Sequence, residues 1–341
     1  MQKILYKPFN NLFYKSYLPT IVHSAMVVGV FDRLKKNTLK VNELAKVMNL
    51  HFGLLNTLIK VLKHAQFIEE TKEGIYKLTE DSLIYFTDEY AKNQISGLQK
   101  FVAKDSPFSN LTSLLKSGPP AYMPNRWSTK KGMFAIEQDA KAGSIEAVQN
   151  FIISHAEFKT VTNICDYGGN SGYYTRDLIQ TNPNVNIDVY DRPEVCEIAQ
   201  DLNNVSSIYK GKINHIAYDI TTVKKITKNY DLFFCSHILY HYMGLNGVED
   251  SLESIIKKIY DTLNPGGLFI SNHCGEKLSE EDALTNQIME LNVKMSGFPT
   301  HIISERSLIS ILEKNGFKIL KMIPAAEGVH YGTMLLSAIK L

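Results

Sequence analysis

A surplus of charge of either sign is missing from this chain of 341 residues. Its 37 Lys and Arg are intermixed with 35 Asp and Glu, leaving a net charge of +2 with His neutral. Such balance gives no electrostatic case for nucleic acid or a membrane as principal partner. Paired cysteines are missing too. Cys165, Cys196, Cys235 and Cys274 are scattered without a Cys-x-x-Cys pair, so they read as reduced core thiols. No apolar run approaches membrane length, and the segment Met1–Pro8 lacks the apolar region of a signal peptide. A cytoplasmic protein is the expectation. Tryptophan occurs once, as Trp127, in a Pro-rich stretch at 117–127. Apolar residues at 44% suffice for a large core, and the length suggests two domains.

In the N-terminal part, Leu18, Ile21, Val22, Ala25, Met26 and Gly29 share a face at helical spacing. Asn42 suits the N-cap of a short helix bearing Leu44, Val47 and Met48. A further helix carries Leu54, Leu55, Leu58, Ile59 and Leu62. Two β runs then flank the turn Lys72-Glu-Gly74. Short helix, turn, helix, hairpin is a winged-helix pattern. Its second helix offers only Asn56, Lys60 and Lys63 among apolar residues, a poor surface for a DNA groove. A dimerisation module is the better reading.

The richest stretch runs from Val161 to Pro193. An apolar segment ends in Asp166-Tyr-Gly-Gly-Asn-Ser-Gly172, a helical segment follows, and a second apolar run closes on Asp191. Strand, glycine turn, helix, strand and acid form the grammar of a nucleotide-binding α/β unit. A dinucleotide fingerprint would need glycine where Asn170 stands, and a phosphate-gripping loop would need Gly-Lys-Ser/Thr. The turn therefore suits a ligand without phosphates, such as S-adenosylmethionine. Strand candidates continue at 213–218, 230–236, 267–272, 317–323 and 331–339, the last two as a hairpin that adds an antiparallel strand. Ser304 caps a helix before them, and Gly316 ends it.

These features resemble the two-domain, S-adenosylmethionine-dependent small-molecule O-methyltransferases over nearly the whole chain. Asp166–Gly172 looks like that family's Asp-x-Gly-Gly-Gly-x-Gly, with Asn170 replacing one glycine. Asn tolerates left-handed backbone, so the change is mild. Asp191-Arg-Pro193 is similar to its Asp-Leu-Pro, and Tyr218-Asp219-Ile220 to its Gly-Asp-Met/Phe. Leu239-Tyr-His241 matches the segment of its general base, followed by Leu263-Asn-Pro-Gly-Gly267. The resemblance implies a doubly wound, Rossmann-like α/β class I methyltransferase sheet with an antiparallel last strand, plus an N-terminal helical winged-helix dimerisation domain. It implies that domain at 1–100 and a catalytic domain at 101–341, with a helical linker at 101–157 lining the acceptor site. A homodimer acting on a small-molecule acceptor, without nucleic acid or membrane, completes the expectation.

By the same resemblance, Asp166, Gly168, Gly169, Gly172, Asp191, Asp219, Ile220, Ser236 and His237 hold S-adenosylmethionine and its product S-adenosylhomocysteine. His241 is the base and His273 a second catalytic residue. Phe134, Gln138, Met289, Asn292 and Met295 face the acceptor. A histidine serves as base at neutral pH, and His241 lies just past a strand, where open α/β sheets bind ligands. The family's Asp-Trp after its histidine is Tyr242-Met243 here. Its Lys or Arg four residues before is His237, and its two flanking glutamates become His273 and Ile302. His241, His273, His237 and His301 are therefore open to three readings: independent histidines, an acceptor-orienting role for His273, or a metal held by imidazoles. O-methylation of an aromatic hydroxyl is the main reading. C- or N-methylation, non-methylation chemistry on the same cofactor and a DNA-binding regulator are the rivals.

Overall fold

The computed structural model describes residues 14–87, 108–119, 128–204, 209–218, 226–242, 250–276, 280–297, 302–325 and 333–341. The chain divides into two compact units. One comprises Lys7–Met123 with Ser279–Phe298, and the other Met1–Tyr6, Pro124–Leu278 and Pro299–Leu341. The helix Glu280–Met295 belongs with the N-terminal unit.

In that unit the first helical stretch breaks in two, Leu18–Val27 and Val30–Lys36, because Gly29 takes a left-handed φ of 84°. The strand β1 (Leu39–Lys40), helices Val41–Met48 and Phe52–His64, and strands β2 (Ile68–Lys72) and β3 (Ile75–Leu78) follow in the expected order. They form a small antiparallel sheet, β1-β3-β2. The first of these two helices starts one residue before Asn42. Its N-cap is Lys40, whose backbone N–H donates to Glu43. Leu54, Leu55, Leu58, Ile59 and Leu62 are wholly buried, in one core with Leu284, Ile288, Leu291 and Met295 of the helix Glu280–Met295. Beside that core Lys294 donates to Glu290 at 2.6 Å and to Thr57 at 2.9 Å.

The second unit is built on seven strands: β4 (Asn163–Tyr167), β5 (Asn186–Asp191), β6 (Ile213–Ala217), β7 (Tyr230–Ser236), β8 (Leu263–Cys274), β9 (Phe317–Ile323) and β10 (Thr333–Lys340). Their order is β6-β5-β4-β7-β8-β10-β9, with β10 antiparallel to both neighbours and the pairs from β6 to β8 parallel. Side chains alternate across a strand, so each face buries its own set. Cys165, Phe233, Phe269 and Leu336 pack with Leu252, Ile256, Leu308 and Leu312. Ile164, Leu232, Phe234 and Ile270 pack with Val148, Phe151 and Leu178. Apolar cores on both faces make the sheet doubly wound. All four cysteines are reduced and buried, and among the described residues no helix is long and apolar enough to cross a membrane.

Candidate active site

Strands β4, β5 and β7 lie side by side, with Tyr167 opposite Tyr190 on one flank and Cys235 on the other. The glycine turn leaves β4 at this carboxyl end. Gly168 and Gly172 take φ of 70° and 73°, and Asn170 takes 55°, the left-handed conformation that its side chain tolerates. A methyl group at Gly168 would stand 2.3 Å from Ile238, and one at Gly169 would stand 2.4 Å from the Asp166 carboxyl. Only glycine fits either place.

The turn is tied down by its own amides. Gly168 N–H donates to Tyr190 O at 2.7 Å, Asn170 N–H to Asp191 at 2.8 Å, Ser171 N–H to the Asn170 side chain at 3.0 Å and Gly172 N–H to Gly169 O at 2.8 Å. Asp191, at the end of β5, also accepts from Arg192 N–H at 2.8 Å. Burial pushes its carboxyl up to about 6, against these two bonds. Asp166 accepts from Thr175 at 2.6 Å, while its Oδ1 is buried without a hydrogen-bond partner. Burial above all, with Asp191 adding to it, pushes its carboxyl up to about 7. A glycine cradle that a Cβ would fill, with an orphaned carboxyl oxygen at its base, fits a bound S-adenosylmethionine. Asp219 and Ile220, expected at its adenine, lie outside the described residues.

Beyond β7 the chain turns through a short 3-10 helix, Leu239–Tyr242, which carries His241. Ser236 accepts from Asn272 Nδ2 at 3.0 Å, and His237, at a left-handed φ of 56°, donates its N–H to Asn272 O at 2.7 Å. Ser236 pairs with Asn272 in the β7–β8 register, and His237 and His273 are the residues that follow them in the chain. His241 lies edge-on to the Tyr240 ring at 4.6 Å. Burial, then the charge of His237, pushes both His241 and His273 down to about 3. His273 is fully buried, and neither ring nitrogen has a hydrogen-bond partner. The structure thus brings His237, His241 and His273 to one end of the sheet. His301 lies outside the described residues. Among those described, no group of three or more His, Cys, Asp or Glu is arranged to hold a metal.

The expected acceptor residues fall in both units. Phe134, on the helix Lys130–Gly143, is 62% exposed, and the side chain of Gln138 lies outside the described set. Met289 and Asn292 are half-buried, and Met295 is a core residue of the N-terminal unit. Sequence reasoning missed the supports of the site. Tyr242 and Tyr167 share a hydroxyl hydrogen bond of 2.8 Å. Lys258, pushed down to about 8 by burial, donates to Tyr218 and lies over the rings of Tyr218 and Tyr167 at 4.6 and 5.5 Å. Asn203 donates to Ser171 O at 2.9 Å, and the Arg176–Glu137 ion pair receives the Ser171 hydroxyl. The one local signal was Tyr242, which stands where the family pattern has an acid.

The strand order, the glycine cradle at β4 and the acid at the end of β5 define an S-adenosylmethionine-dependent class I methyltransferase domain. Residues 132–318 match the O-methyltransferase domain family, more than half of the chain, and the protein belongs to that family. It is 26% identical over 342 residues to an uncharacterized protein of Methanocaldococcus jannaschii, covering 96% of this chain and 87% of that one. It is also 24% identical to the 6-hydroxytryprostatin B O-methyltransferase of Aspergillus fumigatus, over 43% of this chain and 48% of the relative. Among solved structures, an O-methyltransferase family 2 protein from Planctomyces limnophilus, in complex with apigenin, has the same fold at a TM-score of 0.72. It is 19% identical, with 98% of this chain and 96% of that one covered.

Proposed function

We propose that this O-methyltransferase methylates a hydroxyl of a small aromatic secondary metabolite, with His241 as general base. The observation that carries the proposal is the placement of His241 on the turn after β7, beyond the strand end and next to the glycine cradle through Ile238. The Planctomyces limnophilus relative that holds apigenin supports an aromatic acceptor.

When bound, the cofactor supplies a methyl group that its sulfonium already makes electrophilic. The protein's work is then alignment and proton removal. Gly168, Gly169 and Gly172 let the backbone approach the ligand, and Asp191 accepts from ribose hydroxyls. Asp219 and Ile220 would meet the adenine, as the family resemblance implies. Neutral His241 takes the acceptor proton and releases it to water. In this reading the N-terminal unit forms a homodimer in the cytoplasm, and light scattering tests the dimer. Replacement His241→Ala should leave cofactor affinity nearly unchanged and lower turnover of a hydroxyl acceptor by about 100-fold or more. A product one methyl heavier identifies the reaction, and unchanged turnover removes His241 from the base role.

A further inference from the structure

We propose that Lys258 is a positioning residue for the cofactor: its ammonium, set over the rings of Tyr167 and Tyr218, ties the end of β6 to the end of β4 and so fixes where the segment beginning at Asp219 meets the adenine. The inference rests on the reading that Asp191 and Asp219 hold the cofactor. It starts from a repetition. Tyr167, Tyr190 and Tyr218 stand immediately before Gly168, Asp191 and Asp219, three residues of that reading. They lie at the carboxyl ends of β4, β5 and β6, which are neighbours in the sheet. Tyr167 pairs with Tyr190, and Tyr190 pairs with Ile216, two residues before Tyr218. Paired residues and residues two apart share a face of a sheet. The rings also touch, for Tyr218 lies edge-on to Tyr167 at 5.9 Å and to Tyr190 at 5.6 Å.

Lys258 reaches this trio from the helix Asp250–Thr262, and it is buried, with only 8% of its surface exposed. Its Nζ donates to the Tyr218 hydroxyl and stands 4.6 Å from the centre of the Tyr218 ring and 5.5 Å from that of Tyr167. An ammonium taken out of water needs compensation, and the negative face of an aromatic ring supplies it. One charge thus holds two rings that belong to different strands. The geometry gives that link a use. β6 stands at the edge of the sheet, beside β5. Tyr218 N–H donates to Asp191 O at 2.7 Å, which fixes Tyr218 relative to β5. Lys258 adds the link to β4, the strand that leads into the glycine turn. Two ties in different directions set the point from which the chain departs toward Asp219.

Burial pushes the Lys258 ammonium down to about 8, against a smaller opposing effect of Cys165. The charge is therefore present below that pH and is lost above it. Among the described residues, the titratable groups around it are Cys165 and Tyr167 of β4 and Tyr218. Burial raises Cys165 and Tyr167 above their ordinary values, so both stay neutral as Lys258 titrates.

Calorimetry of S-adenosylhomocysteine binding tests the proposal in Lys258→Met, Lys258→Arg and Tyr218→Phe, with a thermal melt to check that each folds. Lys258→Met keeps the length of the side chain, removes its charge and should weaken affinity about tenfold. Lys258→Arg keeps a cation over the rings and should restore most of the loss. With S-adenosylmethionine varied, KM should rise in Lys258→Met by about the same factor while kcat stays within about twofold. Binding to the unaltered protein should weaken as pH rises from about 7 to about 9, and Lys258→Met should lose that slope. Unchanged affinity in Lys258→Met, an equal loss in Lys258→Arg, or a slope that survives the Met replacement overturns the proposal. If Lys258→Met does not fold, Tyr218→Phe decides. It keeps the ring and removes the hydroxyl, and a loss of about threefold or more upholds the proposal, whereas unchanged affinity sinks it. Asp191→Ala separates the two readings. Weakened binding there with no effect at Lys258 removes only the positioning role, and unaltered binding in both removes the cofactor reading as well.

Discussion

The hydroxyl of Tyr242 lies 2.8 Å from that of Tyr167. Tyr167 is the last residue of β4 and Tyr242 directly follows His241, so one hydrogen bond joins the strand that leads into the glycine turn to the turn that carries His241. Ile238, against Gly168, makes a second junction between the same segments.

Cutting the first junction gives a direct prediction. Tyr242→Phe leaves the buried Tyr167 hydroxyl without that partner, at a cost of about 1–3 kcal/mol. Chemical denaturation should show the loss, and kcat should fall more than cofactor affinity. Removing both hydroxyls should cost less than the two single changes added together.

The second junction concerns packing and backbone. Gly168→Ala would force a side chain into a left-handed φ of 70° and against Ile238 at 2.3 Å. It should lower both the melting temperature and the affinity for S-adenosylhomocysteine. Gly168→Ala combined with Ile238→Ala should recover part of the loss. Gly211→Ala, at φ 75° with open space around it, should cost only the backbone penalty, about 1–2 kcal/mol.

Asp191 does two jobs at once. Its carboxyl holds the amides of Asn170 and Arg192, and in our reading it grips the ribose. Asp191→Ala should weaken cofactor binding at least about tenfold, by the loss of charge-assisted hydrogen bonds of roughly 1.5–3 kcal/mol. Isothermal calorimetry decides it, and unaltered affinity removes the ribose role.

Protonation makes the free protein's stability depend on pH in two opposite ways. The carboxyls of Asp166 and Asp191 rise from 3.8 to about 7 and about 6 on folding, so the folded state binds more protons in that window. Their contribution is present below 3.8 and is lost as pH climbs to about 7. His241 and His273 fall from 6.5 to about 3, so theirs is present above 6.5 and is lost as pH falls toward 3. In thermal melts, Asp166→Asn should reduce the decline on the alkaline side and His273→Gln the decline on the acid side.

Local chemistry was legible in the sequence wherever it was local in the chain. The glycine turn, the acid closing β5 and the left-handed fitness of Asn170 all follow from consecutive residues. The break at Gly29 was not, because an unbroken apolar face continues through it. The partner of the helix Glu280–Met295 was hidden for a related reason: spacing shows that a face is buried but not against what. Tyr167 and Tyr242 stand 75 positions apart, and only the order of the strands brings them together. The orphaned nitrogens of His273 are likewise a property of packing, invisible to any pattern.

The amides of Gly168, Asn170, Ser171 and Gly172 are each engaged by the protein itself. The turn has therefore already lost its conformational freedom on folding, and a cofactor would meet a preorganised receptor. Association then carries no further ordering penalty for this segment. Selectivity between cofactor and product would have to arise where they differ, at the methyl group and the sulfonium charge that goes with it.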